Sequence, residues 1–182
     1  MPQNIEIKVA CTPGQLAVIQ QRLNERRLSS IIHLCQIDTY FRVAHGRLKL
    51  REIDAAGERC AELIQYHRPD DAGVRTSTYR RIPVALDQVA SLNAALCDAL
   101  AELMIVRKQR TVAIWHSTRI HLDEVDGLGW YVELETVLGN EPGSDAIGRA
   151  EFDEVVDWLG LAGLEAIPGS YSDLLIAKGQ IA

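Results

Sequence analysis

The sequence predicts an α+β domain built on an antiparallel sheet that curls toward a barrel. Three observations predict it. Seven short segments alternate apolar and polar residues with the period of two that marks a strand with unlike faces. About three others carry apolar residues at helical spacing, and the turn signals between the strand segments are those of hairpins.

The first strand spans residues 4–9, with Ile5, Ile7 and Val9 on one side and Asn4, Glu6 and Lys8 on the other. Thr12 can cap a helix with Pro13 at its first position, followed by the stripe Leu16, Ile19 and Leu23. Further strands are expected over 46–52, 60–68, 77–84, 107–116, 118–125 and 130–137. Turn sequences at Asp70-Asp71-Ala72-Gly73 and Asp126-Gly127-Leu128-Gly129 separate some of them. Leu86, Val89, Leu92, Leu96, Leu100 and Leu103 read as a second helix. Ser144 can cap a third, carrying Ile147, Phe152, Val155, Val156 and Leu159 and closed by Gly160. A short fourth helix is expected over 171–178.

No repeat or linker divides the 182 residues, so one domain over residues 1–182 is expected. The 47% hydrophobic and 24% charged content suits a globular core. The start of the chain lacks a signal-peptide profile and no apolar run would span a bilayer, so a cytoplasmic protein without membrane contact is expected. Cys11, Cys35, Cys60 and Cys97 form no Cys-x-x-Cys pair, which argues against zinc and a disulfide framework. A net charge of -6 argues against a nucleic-acid partner.

Charge is segregated by strand. Arg47, Lys49 and Arg51 form a cationic row about 13 Å long, and Lys108 with Arg110 forms a second. Glu133 and Glu135 form a purely acidic pair, and Arg119, His121 and Asp123 share a face. A strand face in water would also carry charges, but mixed signs would suit it better than rows of one sign. The alternative is a barrel whose charged faces point inward around a highly charged ligand. Cation rows suit an extended anion such as a polyphosphate, and carboxylates beside it imply a hard divalent cation, Mg²⁺ or Mn²⁺.

The motifs then resemble a known family. Asn4-Ile5-Glu6-Ile7-Lys8 is similar to the Glu-x-Glu-x-Lys signature of the CYTH, or triphosphate tunnel metalloenzyme, family. Gln36 to Phe41, Gly46 to Glu52, Glu62 to Pro69, Arg107 to Arg110, His121 to Gly129, Glu133 to Glu135 and Ser170 to Leu175 continue the resemblance in family order. It implies an eight-stranded antiparallel β-barrel, the triphosphate tunnel, with flanking helices. It also implies Glu6, Glu133 and Glu135 as holders of divalent metal, and Lys8, Arg47, Lys49, Arg51, Arg68, Lys108 and Arg110 as the triphosphate cradle. Asp123 resembles the carboxylate near the reacting centre of class IV adenylyl cyclases, as base or metal contact, with Lys8 and Arg110 as its catalytic neighbours. Arg75 is expected to reach phosphate from its hairpin.

Two departures bear on activity. Asn4 stands where the signature has its first Glu, weakening the acidic cluster, and Ile64 stands where thiamine-triphosphatase-like members carry Lys. The expected function is metal-dependent hydrolysis of a triphosphate small molecule. The alternatives are a class IV adenylyl cyclase and a non-catalytic triphosphate-binding module. The cyclase-like branch, often dimeric, favours a homodimer. His121 lies on the charged face within reach of substrate, whereas His33, His45, His67 and His116 read as surface or rim. Trp115 and Trp130 read as wall packing rather than base-stacking groups, Trp158 as core, and Arg80-Arg81 as a solvated edge.

Overall fold

The computed structural model describes residues 3–67, 75–139 and 144–179. In chain order the elements are β1 (Gln3–Cys11), α1 (Pro13–Asn24), β2 (Ser30–Phe41), β3 (Arg47–Ala55), β4 (Glu58–His67) and β5 (Arg75–Val84). A 3-10 turn (Leu86–Gln88) leads into α2 (Val89–Leu100), β6 (Glu102–Trp115), β7 (Thr118–Val125), β8 (Gly129–Leu138), α3 (Ser144–Leu159) and α4 (Tyr171–Ala177). The strands lie in the order β1-β5-β4-β3-β2-β6-β7-β8 and pair antiparallel throughout. The strongly curled sheet closes where β1 pairs with β8 along its whole length and with β5 through Asn4, Ile5 and Glu6.

Local sequence explains most of the element ends. Thr12 caps α1 through a reciprocal capping box with Gln15, and Pro13 takes the first helical position. Ser170 caps α4 in the same way with Asp173. The β7–β8 hairpin turns through Gly127 and Gly129 at φ of +75° and +101°, a backbone region that side chains other than glycine rarely occupy. The turn expected at 70–73 lies outside the described residues.

Two elements differ from the sequence expectation. β2 escapes the period-two test because its inward face carries Leu34, Gln36, Asp38 and Tyr40, which mixes polar and apolar on one side. The helical stripe from Leu86 stops at Leu100, since Ala101 adopts φ of +60° and turns the chain into β6. Leu103 therefore packs from a strand, against the Tyr40 and Met104 cluster, rather than from a helix.

The apolar face of the sheet points outward, beneath the helices. Ile5, Val9, Ile120, Leu122, Val132 and Leu134 pack with Ile19 and Leu23 of α1 and with Phe152, Val155 and Leu159 of α3. Each such side chain contributes about 1.5–3 kcal/mol by leaving water. Phe41, Leu50 and Ala61 form a second layer with Val89 of α2, and Tyr171 and Leu175 of α4 seal one end against Tyr40, Met104 and Tyr131. With the outer wall so covered, the alternate residues of every strand face the barrel interior. No described helix is long and apolar enough to cross a membrane.

Candidate active site: a charged tunnel

The interior is a cavity of about 320 Å³ lined by charged side chains from β1, β2, β3, β5, β6, β7 and β8. Strand register organises the charges into two copies of one unit. In the first, Lys49 and Arg51 on β3 face Asp38 on β2, with Arg51 and Asp38 directly opposite. In the second, Lys108 and Arg110 on β6 face Asp123 on β7, again with Arg110 and Asp123 directly opposite.

The contacts repeat with the register. Arg51 donates Nε to Asp38 Oδ1 at 2.7 Å and Nη2 to Oδ2 at 2.9 Å, while Lys49 Nζ reaches Oδ2 at 2.9 Å. Arg110 donates Nε to Asp123 Oδ1 at 2.6 Å and Nη2 to Oδ2, and Lys108 Nζ lies 3.4 Å from Oδ2. A tyrosine completes each copy: Lys49 donates to Tyr40 Oη at 3.3 Å, and Tyr171 donates its hydroxyl to Asp123 at 2.8 Å. The Tyr171 ring also lies under two ammonium groups, Lys8 at 4.1 Å and Lys108 at 4.9 Å.

Burial works against every charge here, and the partners decide which charges persist. It pushes Lys49 down to about 7 and Lys108 to about 8, with Arg51 and Arg110 adding repulsion that Asp38 and Asp123 only partly offset. Burial alone would raise the carboxyls of Asp38 and Asp123, but the Arg and Lys partners overcome it and hold both well below the ordinary range. Glu133 is likewise held low, by Lys8 and Arg110. His121 is driven well below its usual value, first by burial and then by Arg110, so its imidazole is neutral at pH 7.

The three carboxylates expected at a metal all line the tunnel. Glu6 stands beside Glu135 and Lys8 beside Glu133 across the β1–β8 pair. Glu133 accepts from Arg110 at 2.9 Å and lies 3.7 Å from Lys8 Nζ. Glu135 accepts from Asn4 Nδ2 on Oε1, and Arg119 lies 3.2 Å from its Oε2. Among the described residues no three His, Cys, Asp or Glu side chains form a closed metal cage. The donor set fits instead the mode in which Mg²⁺ or Mn²⁺ takes one or two carboxylates and completes its shell with water and substrate phosphates. Unused donor atoms at this point support the fit. Among the described residues, Asn4 Oδ1 and both ring nitrogens of His121 are buried without a hydrogen-bond partner.

Of the residues expected from sequence, Glu6, Lys8, Lys49, Arg51, Lys108, Arg110, Glu133 and Glu135 line one cavity. Asp123 does not line it; only 1% exposed, it lies behind Arg110, Lys108 and Tyr171. Arg47 sits at the α4 end, paired with Asp173 at 2.8 Å. Arg68 lies outside the described residues, and the backbone of Arg75 pairs with Glu6. The sequence assigned no role to Asp38, Arg119, Tyr40 or Tyr171, and it placed Arg81 on a solvated edge. Arg81 is exposed as expected, and it also reaches the cavity rim, where it donates Nε to Glu62 at 3.1 Å. Counting inward positions on β2 from Gln36 would have found Asp38, since residues of alternate parity share a face. Trp115 and Trp158 pack on each other and on Arg26, on the outer wall as expected.

A closed antiparallel barrel with inward cations, inward carboxylates and an apolar exterior defines a charged-tunnel protein. The CYTH domain profile matches residues 2–157, and the chain belongs to that family of triphosphate tunnel proteins. Comparison with curated proteins finds no match. Among solved structures, the PH1819 protein from Pyrococcus horikoshii OT3 is 19% identical at a TM-score of 0.70, over 96% of this chain and 99% of that one. HpAC1 from Hippeastrum, a candidate adenylyl cyclase reported to have a dominant triphosphatase activity, is 16% identical at 0.64, over 98% and 96%. A chain of the Schizosaccharomyces pombe Mediator head module is 10% identical at 0.69, over 90% and 97%. At these identities the likeness is one of fold.

Proposed function

We propose that the chain is a divalent-metal-dependent enzyme that hydrolyses a triphosphate held in the tunnel. The observation that supports this most directly is the pair of Lys-x-Arg/Asp units facing one cavity that also holds Glu6, Glu133 and Glu135. Paired cations of this kind bind consecutive phosphoryl groups, the arginine forks bidentately and the lysines as point charges. The acidic cluster would otherwise repel the same ligand, which argues for a bridging divalent ion.

In this reading Lys49, Arg51, Lys108 and Arg110 hold the triphosphate, with Lys8 beside the carboxylates and Arg47 at the α4 end. Glu6, Glu133 and Glu135 hold Mg²⁺ or Mn²⁺, which when bound neutralises charge on the transferring group and leaving oxygens. Phosphoryl transfer through a loose transition state asks for positioning and charge stabilisation more than for a strong base. Lys8 and Arg110 are assigned to that stabilisation. Asp123 is assigned to hold Arg110 in place, because its oxygens already accept from Arg110, Lys108 and Tyr171. Attack of water on the terminal phosphorus, breaking its bond to the bridging oxygen, gives a diphosphate and inorganic phosphate.

A second reading, cyclisation of ATP to 3′,5′-cyclic AMP and pyrophosphate, draws support from the end of the tunnel away from α4. Leu34, Ile53 and Val112 line that end and suit an organic group attached to the phosphates. Asn4 favours hydrolysis over cyclisation by weakening the acidic cluster. Product analysis with ATP, thiamine triphosphate and tripolyphosphate, each in Mg²⁺ and in Mn²⁺, separates the readings. Phosphate without cyclic nucleotide is the expected result; cyclic AMP with pyrophosphate would establish the cyclase. Binding of tripolyphosphate without turnover in either metal would leave a binding module.

A further inference from the structure

We infer that His121 is a ligand of the divalent ion, shared with Glu135, and that this nitrogen ligand tilts the site toward Mn²⁺ over Mg²⁺. The inference rests on the triphosphate reading and adds to it a ligand and a metal preference. His121 points into the tunnel from β7, directly across from Glu133 on β8, and is 7% exposed. Both of its ring nitrogens are buried without a hydrogen bond among the described residues. A buried imidazole in a polar tunnel ordinarily donates through one nitrogen and accepts through the other, so two idle nitrogens mark a missing partner.

The nearest acidic atom identifies that partner. Nε2 of His121 lies 3.7 Å from Oε2 of Glu135, too far for a hydrogen bond. Two donors that share a divalent ion at about 2.1 Å each stand between about 3 and 4.2 Å apart, and this gap falls inside that range. Asn4 fixes the carboxylate by donating to its other oxygen. Arg119, 3.2 Å from the same Oε2, is the competing cation, and its half-exposed side chain is free to turn toward phosphate.

The metal preference follows from ligand chemistry. Asn4 supplies an amide where the family signature has a fourth carboxylate, so the site has one hard anionic donor fewer. Mn²⁺ shares the preference of Mg²⁺ for oxygen ligands, but as a first-row transition ion it accepts an imidazole nitrogen more readily than Mg²⁺, which keeps oxygen and water.

Pulsed electron paramagnetic resonance on Mn²⁺ tests this without a variant. The protein is prepared with natural histidine and with [¹⁵N]histidine, in the presence of the bis-methylene analogue of tripolyphosphate, which resists cleavage. The expected result is ¹⁴N modulation at bound Mn²⁺ that converts to ¹⁵N coupling on histidine labelling. His121→Gln should remove it and weaken Mn²⁺ binding about tenfold or more while Mg²⁺ binding stays near wild type. Mn²⁺ bound with the analogue but showing no histidine coupling would overturn the ligand assignment and leave the triphosphate reading standing. Failure of the analogue to bind at all would overturn both.

Discussion

Asp38 and Asp123 occupy the same place in two copies of one arrangement: each stands directly across a strand pair from an arginine and takes both arms of its guanidinium. Each also holds the lysine two residues before that arginine. Two carboxylates inside a tunnel proposed to bind an anion look misplaced until the cost of the cations is considered. Lys49, Arg51, Lys108 and Arg110 share one low-dielectric cavity, and their mutual repulsion would splay them without fixed counter-charges. In the proposed reading, the aspartates keep the cradle assembled before a ligand arrives.

Asp38→Asn should therefore destabilise the free protein by about 3 kcal/mol or more, since it leaves two buried cations uncompensated. Tripolyphosphate replaces the missing negative charge in the variant, so it should recover more thermal stability there than in wild type. Melting curves with and without tripolyphosphate check both statements. An equal ligand-induced shift in the two proteins would show that Asp38 does not act through Lys49 and Arg51.

Ligand binding should take up protons at pH 8 and weaken as pH rises. Lys49 is held at about 7 and Lys108 at about 8 in the free tunnel, both below the 10.5 of an exposed lysine. A bound polyanion favours the charged forms, so protons are taken up on binding once the pH exceeds those values. Affinity should then fall by up to about tenfold per pH unit for each lysine. Stability of the free protein carries the opposite sign. Between pH 7 and 10.5 the unfolded chain binds more lysine protons than the folded one, and these two groups favour the fold increasingly as pH rises. Calorimetry at pH 8 in buffers of different ionisation enthalpy measures the uptake; a buffer-independent heat would refute it.

Much of this site was legible in the sequence because a strand exposes its inward face at every second position. Lys49, Arg51, Lys108, Arg110, Glu133 and Glu135 could be placed on shared faces from parity alone, and the barrel then turned those faces toward one another. Asp38 was harder to place, because β2 mixes Leu34 and Tyr40 with Gln36 and Asp38 on its inner side and shows no clean alternation. Arg47 satisfied the parity rule yet sits at the tunnel end with Asp173. Parity fixes the face of a residue, whereas its depth along the barrel depends on register between strands far apart in sequence. Pairings such as Arg110 with Asp123, or Tyr171 reaching across from α4, are tertiary facts of that second kind.

Glu135→Gln should leave metal-free binding of tripolyphosphate largely intact and reduce metal-dependent turnover by about a hundredfold or more, the several kcal/mol that a bound divalent ion supplies. The side chain bonds Asn4 and faces Arg119 but holds none of the Lys-x-Arg cations, so the cradle should survive the change. Isothermal titration with tripolyphosphate in the presence of a chelator, alongside phosphate release in Mn²⁺, separates binding from catalysis. Equal loss of both would place Glu135 in the cradle instead.

Asn4→Glu restores the acidic residue that the family signature carries and tests what its absence does. Asn4 is fully buried, and its amide donates to the carboxylate of Glu135. A glutamate there exchanges that hydrogen bond for a like charge at close range, in a cavity where Glu6 already stands beside Glu135. Without metal the variant should melt below wild type, because Arg119 at that point is already paired with Glu135 and the added charge is buried. With Mg²⁺ and tripolyphosphate the order should reverse, and Mg²⁺ affinity should rise about tenfold, since affinity for hard cations follows the count of anionic oxygens. Melting temperatures measured across an Mg²⁺ titration read both effects in one experiment. A variant that is destabilised at every Mg²⁺ concentration would show that position 4 lies outside the reach of the ion, and the weakened acidic cluster would lose its force as an argument for hydrolysis over cyclisation.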